Sequence, residues 1–134
     1  MVRYAEIATA GDRRTFQLMR FDVGLVCFSL VDPRSYEKIL KEYYADFTTW
    51  RFDFPILVVG MKCDLVDDVD TLSRLRGEGE APLRREDGVR LAETINAVGY
   101  VECSSLTGVG VDQVFREACK AGLDMKEPPS KDAR

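Results

Sequence analysis

Pro55-Ile56-Leu57-Val58-Val59-Gly60-Met61-Lys62-Cys63-Asp64-Leu65 constrains this chain more than any other stretch. Its apolar run is short, β-branched and bounded by Pro and Gly, the pattern of a strand buried on both faces and ending at Gly60. Such strands belong to parallel sheets, and open α/β sheets bind ligands beyond the carboxyl ends of their strands. Lys62 and Asp64 stand there, two apart. The pair suits base recognition: the Lys62 stem covers a planar ring, and the Asp64 carboxylate accepts two N–H bonds from its edge, a bidentate, charge-assisted contact. Taken alone, the same residues also read as a plain polar turn.

Other segments extend the pattern. Val2–Ala8 reads as a first strand and Asp12–Arg20 as a short helix. Val23–Val31 reads as a second buried strand. Asp32-Pro33 is a helix start, with Asp as N-cap and Pro in the first turn; that helix runs to about Phe47. Tyr43, Tyr44, Phe47 and Trp50 form either core packing or a partner surface. Val66–Arg85 is a charged excursion with a short exposed helix and a Gly-rich turn. Arg84–Val98 is amphipathic, with Val89, Leu91, Ala92, Ile95 and Val98 inward and Gly99 as its C′ residue. Tyr100–Cys103 is a last strand. Val111–Leu123 closes the domain, with Val111, Val114, Phe115, Ala118 and Leu123 inward. Alternating strands and helices predict an α/β fold: one domain over residues 1–123 with a mostly parallel sheet covered by helices, then a disordered tail over 124–134.

Composition narrows the function. The 134 residues carry a net charge of −4, against the basic face that nucleic-acid binding needs. No run approaches the ~20 apolar residues of a membrane span, and no secretory signal is visible. Cys27, Cys63, Cys103 and Cys119 lack metal-site spacing, and there is no His, so neither a metal site nor a His-based triad is expected. Cys27 and Cys103 read as small buried hydrophobes. A cytoplasmic, reducing location fits this usage.

From Asp22 to Leu123 the chain resembles the C-terminal part of a Rho/Rac-type small GTPase of the Ras superfamily. Val26-Cys27-Phe28-Ser29-Leu30-Val31-Asp32-Pro33 resembles that family's fourth strand and helix start. Gly60–Leu65 resembles its Thr/Asn-Lys-x-Asp guanine loop, Val66–Glu86 the Rho-type helical insert, and Tyr100–Thr107 the Glu-Cys-Ser-Ala-Leu-Thr loop. The resemblance implies that Lys62 packs on guanine and Asp64 reads its ring nitrogens. Ser104 braces the second loop, the Ser105 N–H meets the guanine oxygen, and Leu106 borders the base. Met61 departs from Thr/Asn, and Ser105 from Ala.

The same resemblance sets expectations for activity. The family hydrolyses GTP with a Gly-x-x-x-x-Gly-Lys-Ser/Thr phosphate loop and Mg²⁺. These 134 residues contain no such loop. Ala8-Thr9-Ala10-Gly11 resembles Asp-Thr-Ala-Gly with Ala8 at the Mg²⁺-linked position; Ala8–Thr15, with Arg14-Thr15, alternatively reads as a decayed phosphate loop. The expectation is an N-terminally truncated, partial Ras-like fold without a recognisable Mg²⁺ site or catalytic residue. It binds GTP or GDP weakly or not at all and hydrolyses GTP negligibly. The fold's central strand is then expected to be missing: Val2–Ala8 moves into its place, a second chain fills it, or the product is marginally stable, and the short Ala8–Asp22 connection favours the first. A rival reading is a non-catalytic interaction module for Rho effectors or regulators; an incomplete product of a longer gene is a third. The chain ends Lys131-Asp132-Ala133-Arg134, without a prenylation box or basic run, so no membrane anchor is expected. Monomer and dimer both remain open.

Overall fold

The computed structural model describes residues 23–43 and 54–126. Expectations for residues 1–22, including the first strand and the missing central strand, lie outside the described residues. So do the side chains of Tyr43, Tyr44, Phe47 and Trp50, and the tail from residue 127.

The described chain is a three-stranded parallel sheet with helices on both faces. β1 (Gly24–Ser29), β2 (Ile56–Met61) and β3 (Gly99–Glu102) lie in the order β1-β2-β3. Val58 pairs with both Val26 and Tyr100, which places β2 in the middle. Alternation then sorts its side chains. Ile56 and Val58 meet Phe28, Ile39, Leu91, Ala92 and Ile95 on one face; Leu57 and Val59 meet Val101, Val114, Ala118 and Ala121 on the other. Each fully buried aliphatic side chain in these layers contributes about 1.5–3 kcal/mol.

The helix α1 (Pro33–Lys38) begins as the residues predict. Asp32 Oδ1 accepts from the Arg34 N–H at 3.2 Å, with Pro33 in the first turn. It continues as a π-helical turn, Ile39–Tyr43. α2 (Val69–Gly77) is capped by Asp68, which accepts from the Thr71 N–H and hydroxyl. α3 (Arg85–Thr94) and α4 (Val111–Lys126) complete the layers.

Several expectations need correction. β2 runs through Gly60 to Met61, because both residues stay in register with Phe28 and Ser29. Gly99 opens β3 and is not a helix cap. Asn96 takes the left-handed position instead, with φ 59°. Asn96 N–H donates to Glu93 O and Ala97 N–H to Ala92 O, the paired bonds of a Schellman ending. With α3 ending three to four residues early, Val98 is exposed; Val89 is exposed too, because the inward stripe is Gly88, Leu91, Ala92 and Ile95. In α4 the inward stripe is Val114, Ala118 and Ala121, leaving Phe115 and Leu123 half-exposed. That helix runs to Lys126, three residues beyond its expected end at Leu123. Cys103 is buried, but Cys27 is exposed. Cys27 shares a face with Leu25, and only Leu25 on that face of β1 reaches the layer under α4. The excursion is also less detached than expected: Leu75 is 1% exposed, the one buried side chain of α2.

Candidate functional site

Strand pairing ends at Gly60 opposite Glu102, and the two loops that follow stay side by side. Cys103 holds them together. Its N–H donates to Gly60 O at 2.8 Å, and its carbonyl accepts from the Cys63 N–H at 3.0 Å. A parallel sheet makes this possible, because neighbouring strands deliver their carboxyl ends to the same edge.

The first loop turns at Lys62, which sits in the left-handed region (φ 62°, ψ 39°) with its side chain exposed. That conformation is uncommon outside Gly, Asn and Asp and is held here by neighbouring bonds. Leu65 N–H donates to Lys62 O at 3.1 Å, closing the 3₁₀ turn Cys63–Leu65. Asp64 lies in that turn, half-buried. Met61, where the family pattern has a hydroxyl or amide, is 37% exposed.

The second loop is built on Ser104, the one fully buried polar residue among the described residues. Its hydroxyl accepts from the Thr107 N–H at 3.1 Å. Its N–H donates to Val109 O, and its carbonyl accepts from Gly108 N–H, both at 2.8 Å. Its N–H, its carbonyl and its hydroxyl oxygen thus all bond within the loop. Ser105 and Leu106 stand at the rim, Leu106 83% exposed. No bond to a protein acceptor uses the Ser105 N–H among the described residues. Lys62, Asp64, Ser104, Ser105 and Leu106 therefore belong to two loops joined at one sheet edge.

Electrostatics keep the nearby thiols inert. Burial, then the Asp64 and Glu102 charges, push the Cys63 thiol up; burial, then Cys63, does the same to Cys103. Neither is a thiolate at neutral pH. Among the described residues no group of three or more His, Cys, Asp or Glu side chains could hold a metal. The two loops thus carry an exposed Lys62, a half-buried Asp64 and an exposed Ser105 and Leu106.

A cavity of about 350 Å³ opens at the carboxyl ends of β1 and β2. It lies between Ser29, Asp32, Arg34, Lys62, Arg74 and Leu75. Of the five residues above, only Lys62 lines it. Its ion pairs, Arg34–Glu80 at 3.8 Å and Arg74–Glu78 at 3.6 Å, are exposed and contribute little.

Sequence reasoning missed the support beneath the loops. Tyr100 Oη donates to Glu102 Oε2 at 2.7 Å, and the Tyr100 ring stacks on Phe28. The available signal was the Tyr-x-Glu spacing, which puts both side chains on one face of β3.

A family model for the Ras family matches residues 9–124, a span holding the three described strands and both loops. That is well over half of the chain. The nucleotide class follows from it, since these are guanine-nucleotide-binding small GTPases. The chain belongs to the Ras family.

Proposed function

We propose that this protein is a Rho-type member of its family whose 134 residues read guanine but hold nucleotide weakly. The observation that supports this is the bond from Cys63 N–H to Cys103 O, which sets the Lys62–Asp64 loop beside the Ser104–Leu106 loop. On this reading the Lys62 stem covers the base and Asp64 accepts from two guanine nitrogens. The Ser105 N–H donates to the guanine oxygen, Leu106 shields the edge, and Ser104 holds the loop in shape. The helical insert at 66–86 supports the Rho subtype: α2 stands between β2 and α3, where the Rho pattern has its extra helix.

Magnitude decides the affinity. Two charge-assisted bonds at ~1.5–3 kcal/mol each fall far short of the roughly −12 kcal/mol of nanomolar binding. Strong binding in this fold draws on a phosphate loop and Mg²⁺, and the 134 residues contain no Gly-x-x-x-x-Gly-Lys-Ser/Thr. Negligible GTP hydrolysis follows on the same reading.

NMR titration tests this. Guanosine monophosphate is expected to shift the amides of Cys63–Leu65 and Ser104–Thr107 with a dissociation constant of order 1 mM, about −4 kcal/mol. Adenosine monophosphate is expected to leave them in place, and Asp64→Ala to abolish the effect. Equal shifts with both nucleotides overturn the guanine reading. Sub-micromolar GDP binding with Mg²⁺ overturns the weak one.

A second reading, a module for Rho effectors or regulators in a cytoplasmic setting, draws on α2. Val69 is 75% exposed there, beside the acidic Asp67 and Asp70. Binding of purified Rho regulators that is lost in Val69→Asp and indifferent to nucleotide would favour it.

A further inference from the structure

Among the described residues, two hydrogen bonds join the ends of β2 and β3 and the loops that follow, and Cys103 takes part in both. The placement of Cys103 therefore sets how the loops face each other. Glu102 precedes it directly, and its carboxylate accepts from Tyr100 Oη at 2.7 Å. Tyr100 is in turn held from several sides. The Phe28 ring lies parallel to it, 6.1 Å away at 7°, and Arg85 Cζ sits 5.7 Å from its centroid. Space for the ring is cleared by two glycines: a Cβ on Gly60 would collide with the Tyr100 hydroxyl, and a Cβ on Gly88 with the ring itself.

We infer that Tyr100 and Glu102 are positioning residues that fix the spacing between the Lys62–Asp64 and Ser104–Leu106 loops. The inference deepens the guanine reading and rests on it for its functional meaning. Its physical content, a clamp on Cys103, stands separately. A purely packing role for Tyr100 would need the ring alone. The clamp needs the hydroxyl, because the hydroxyl is what reaches the residue next to Cys103. Burial, then the Glu102 hydrogen bond and charge, raise the Tyr100 hydroxyl above its ordinary 10.0, so it stays a donor throughout the neutral range. Glu102 also stands close enough to the first loop for its charge to act on Cys63.

Tyr100→Phe keeps the ring, its stack and its cation contact, and removes only the hydroxyl. Amide hydrogen exchange in the full chain is the readout. Protection at Cys63 and Cys103 is expected to fall about three- to tenfold, with Val58 and Val59 unchanged. Glu102→Ala is expected to give the same loss, and the double variant no further loss, as for two halves of one contact. Unchanged protection at Cys63 and Cys103, a uniform fall across the sheet, or additive losses would each overturn the clamp. Guanosine against inosine monophosphate gives the second arm. Inosine lacks the exocyclic amine that Asp64 would meet, so the wild type is expected to prefer guanosine and Tyr100→Phe to lose that preference. A wild type without preference overturns the guanine reading, while the exchange result still decides the clamp.

Discussion

Gly110 closes the second loop and starts α4, and its replacement by Ala separates two costs the structure predicts. Its φ is +75°, where a Cβ costs about 1–2 kcal/mol. A Cβ there would also collide with the Glu102 carbonyl oxygen, with Cys103 Cα at 3.1 Å and the Glu102 carbonyl carbon at 3.2 Å. Those neighbours are backbone at the end of β3 and cannot swing aside, so overpacking adds about 1–3 kcal/mol. Gly110→Ala is thus expected to cost about 2–5 kcal/mol in total. Gly108 is the control. Its φ is +84°, but nothing lies within 4 Å of an added Cβ. Gly108→Ala should carry the conformational cost alone, about 1–2 kcal/mol. Urea unfolding of the full chain at constant slope reads the difference from the midpoints. Equal midpoints, or a larger loss at Gly108, would refute the close approach of Gly110 to β3 and with it the packing of the loop.

Three further expectations follow from single contacts. Leu75→Ala removes the one buried side chain of α2 and is expected to cost about 2–3 kcal/mol, with exchange protection of α2 amides falling before that of β2. Asp32→Ala removes the N-cap of α1 and should cost about 1 kcal/mol, read from thermal unfolding. The Tyr100 hydroxyl, raised above its ordinary 10.0, stabilises fully below pH 10 and loses that contribution as pH climbs toward its folded value. Urea midpoints from pH 7 to pH 11.5 should therefore fall more steeply above about pH 10 in the wild type than in Tyr100→Phe. Tyr36 is raised as well and stays in both proteins, so it does not alter the comparison.

The strands were legible where one residue type dominated. Ile56–Val59 announced itself because a strand buried on both faces has no polar position to alternate with. Helix starts were legible too, since Asp32-Pro33 carries its own capping chemistry. Inward faces were harder. Gly88 and Ala121 are buried in helices whose larger residues Val89 and Leu123 are not, because the spacing between helix and sheet admits small side chains there. Hydrophobicity alone cannot show that a tyrosine ring occupies the space above Gly60 and Gly88. Helix α3 likewise ends on Asn96 although Gly99 offered the more obvious stop; the Ala97 and Val98 amides are needed to bond Ala92 and Ile56. At the site, the two loops could be read from their motifs, but their juxtaposition depends on Cys103, which no spacing rule singles out.

That juxtaposition matters more when binding is weak than when it is strong. Ordering a residue costs roughly 1–2 kcal/mol, so five loose loop residues would cost about 5–10 kcal/mol to arrange around a base. Two charge-assisted bonds return only about 3–6 kcal/mol. If the loops took shape only on binding, the balance would be unfavourable and no base would be read at all. Here the shape is set without a ligand: Lys62 by its turn, Ser104 by three bonds within its own loop, and both by Cys103. On the proposed guanine reading, folding has already met the ordering cost, which leaves the contact energy free to discriminate. A loop variant that touches no base atom, such as Gly110→Ala, should then abolish guanosine shifts as completely as Asp64→Ala does. Tight binders of the same fold have phosphate contacts in reserve, and loosening of this kind would lower their affinity without erasing it.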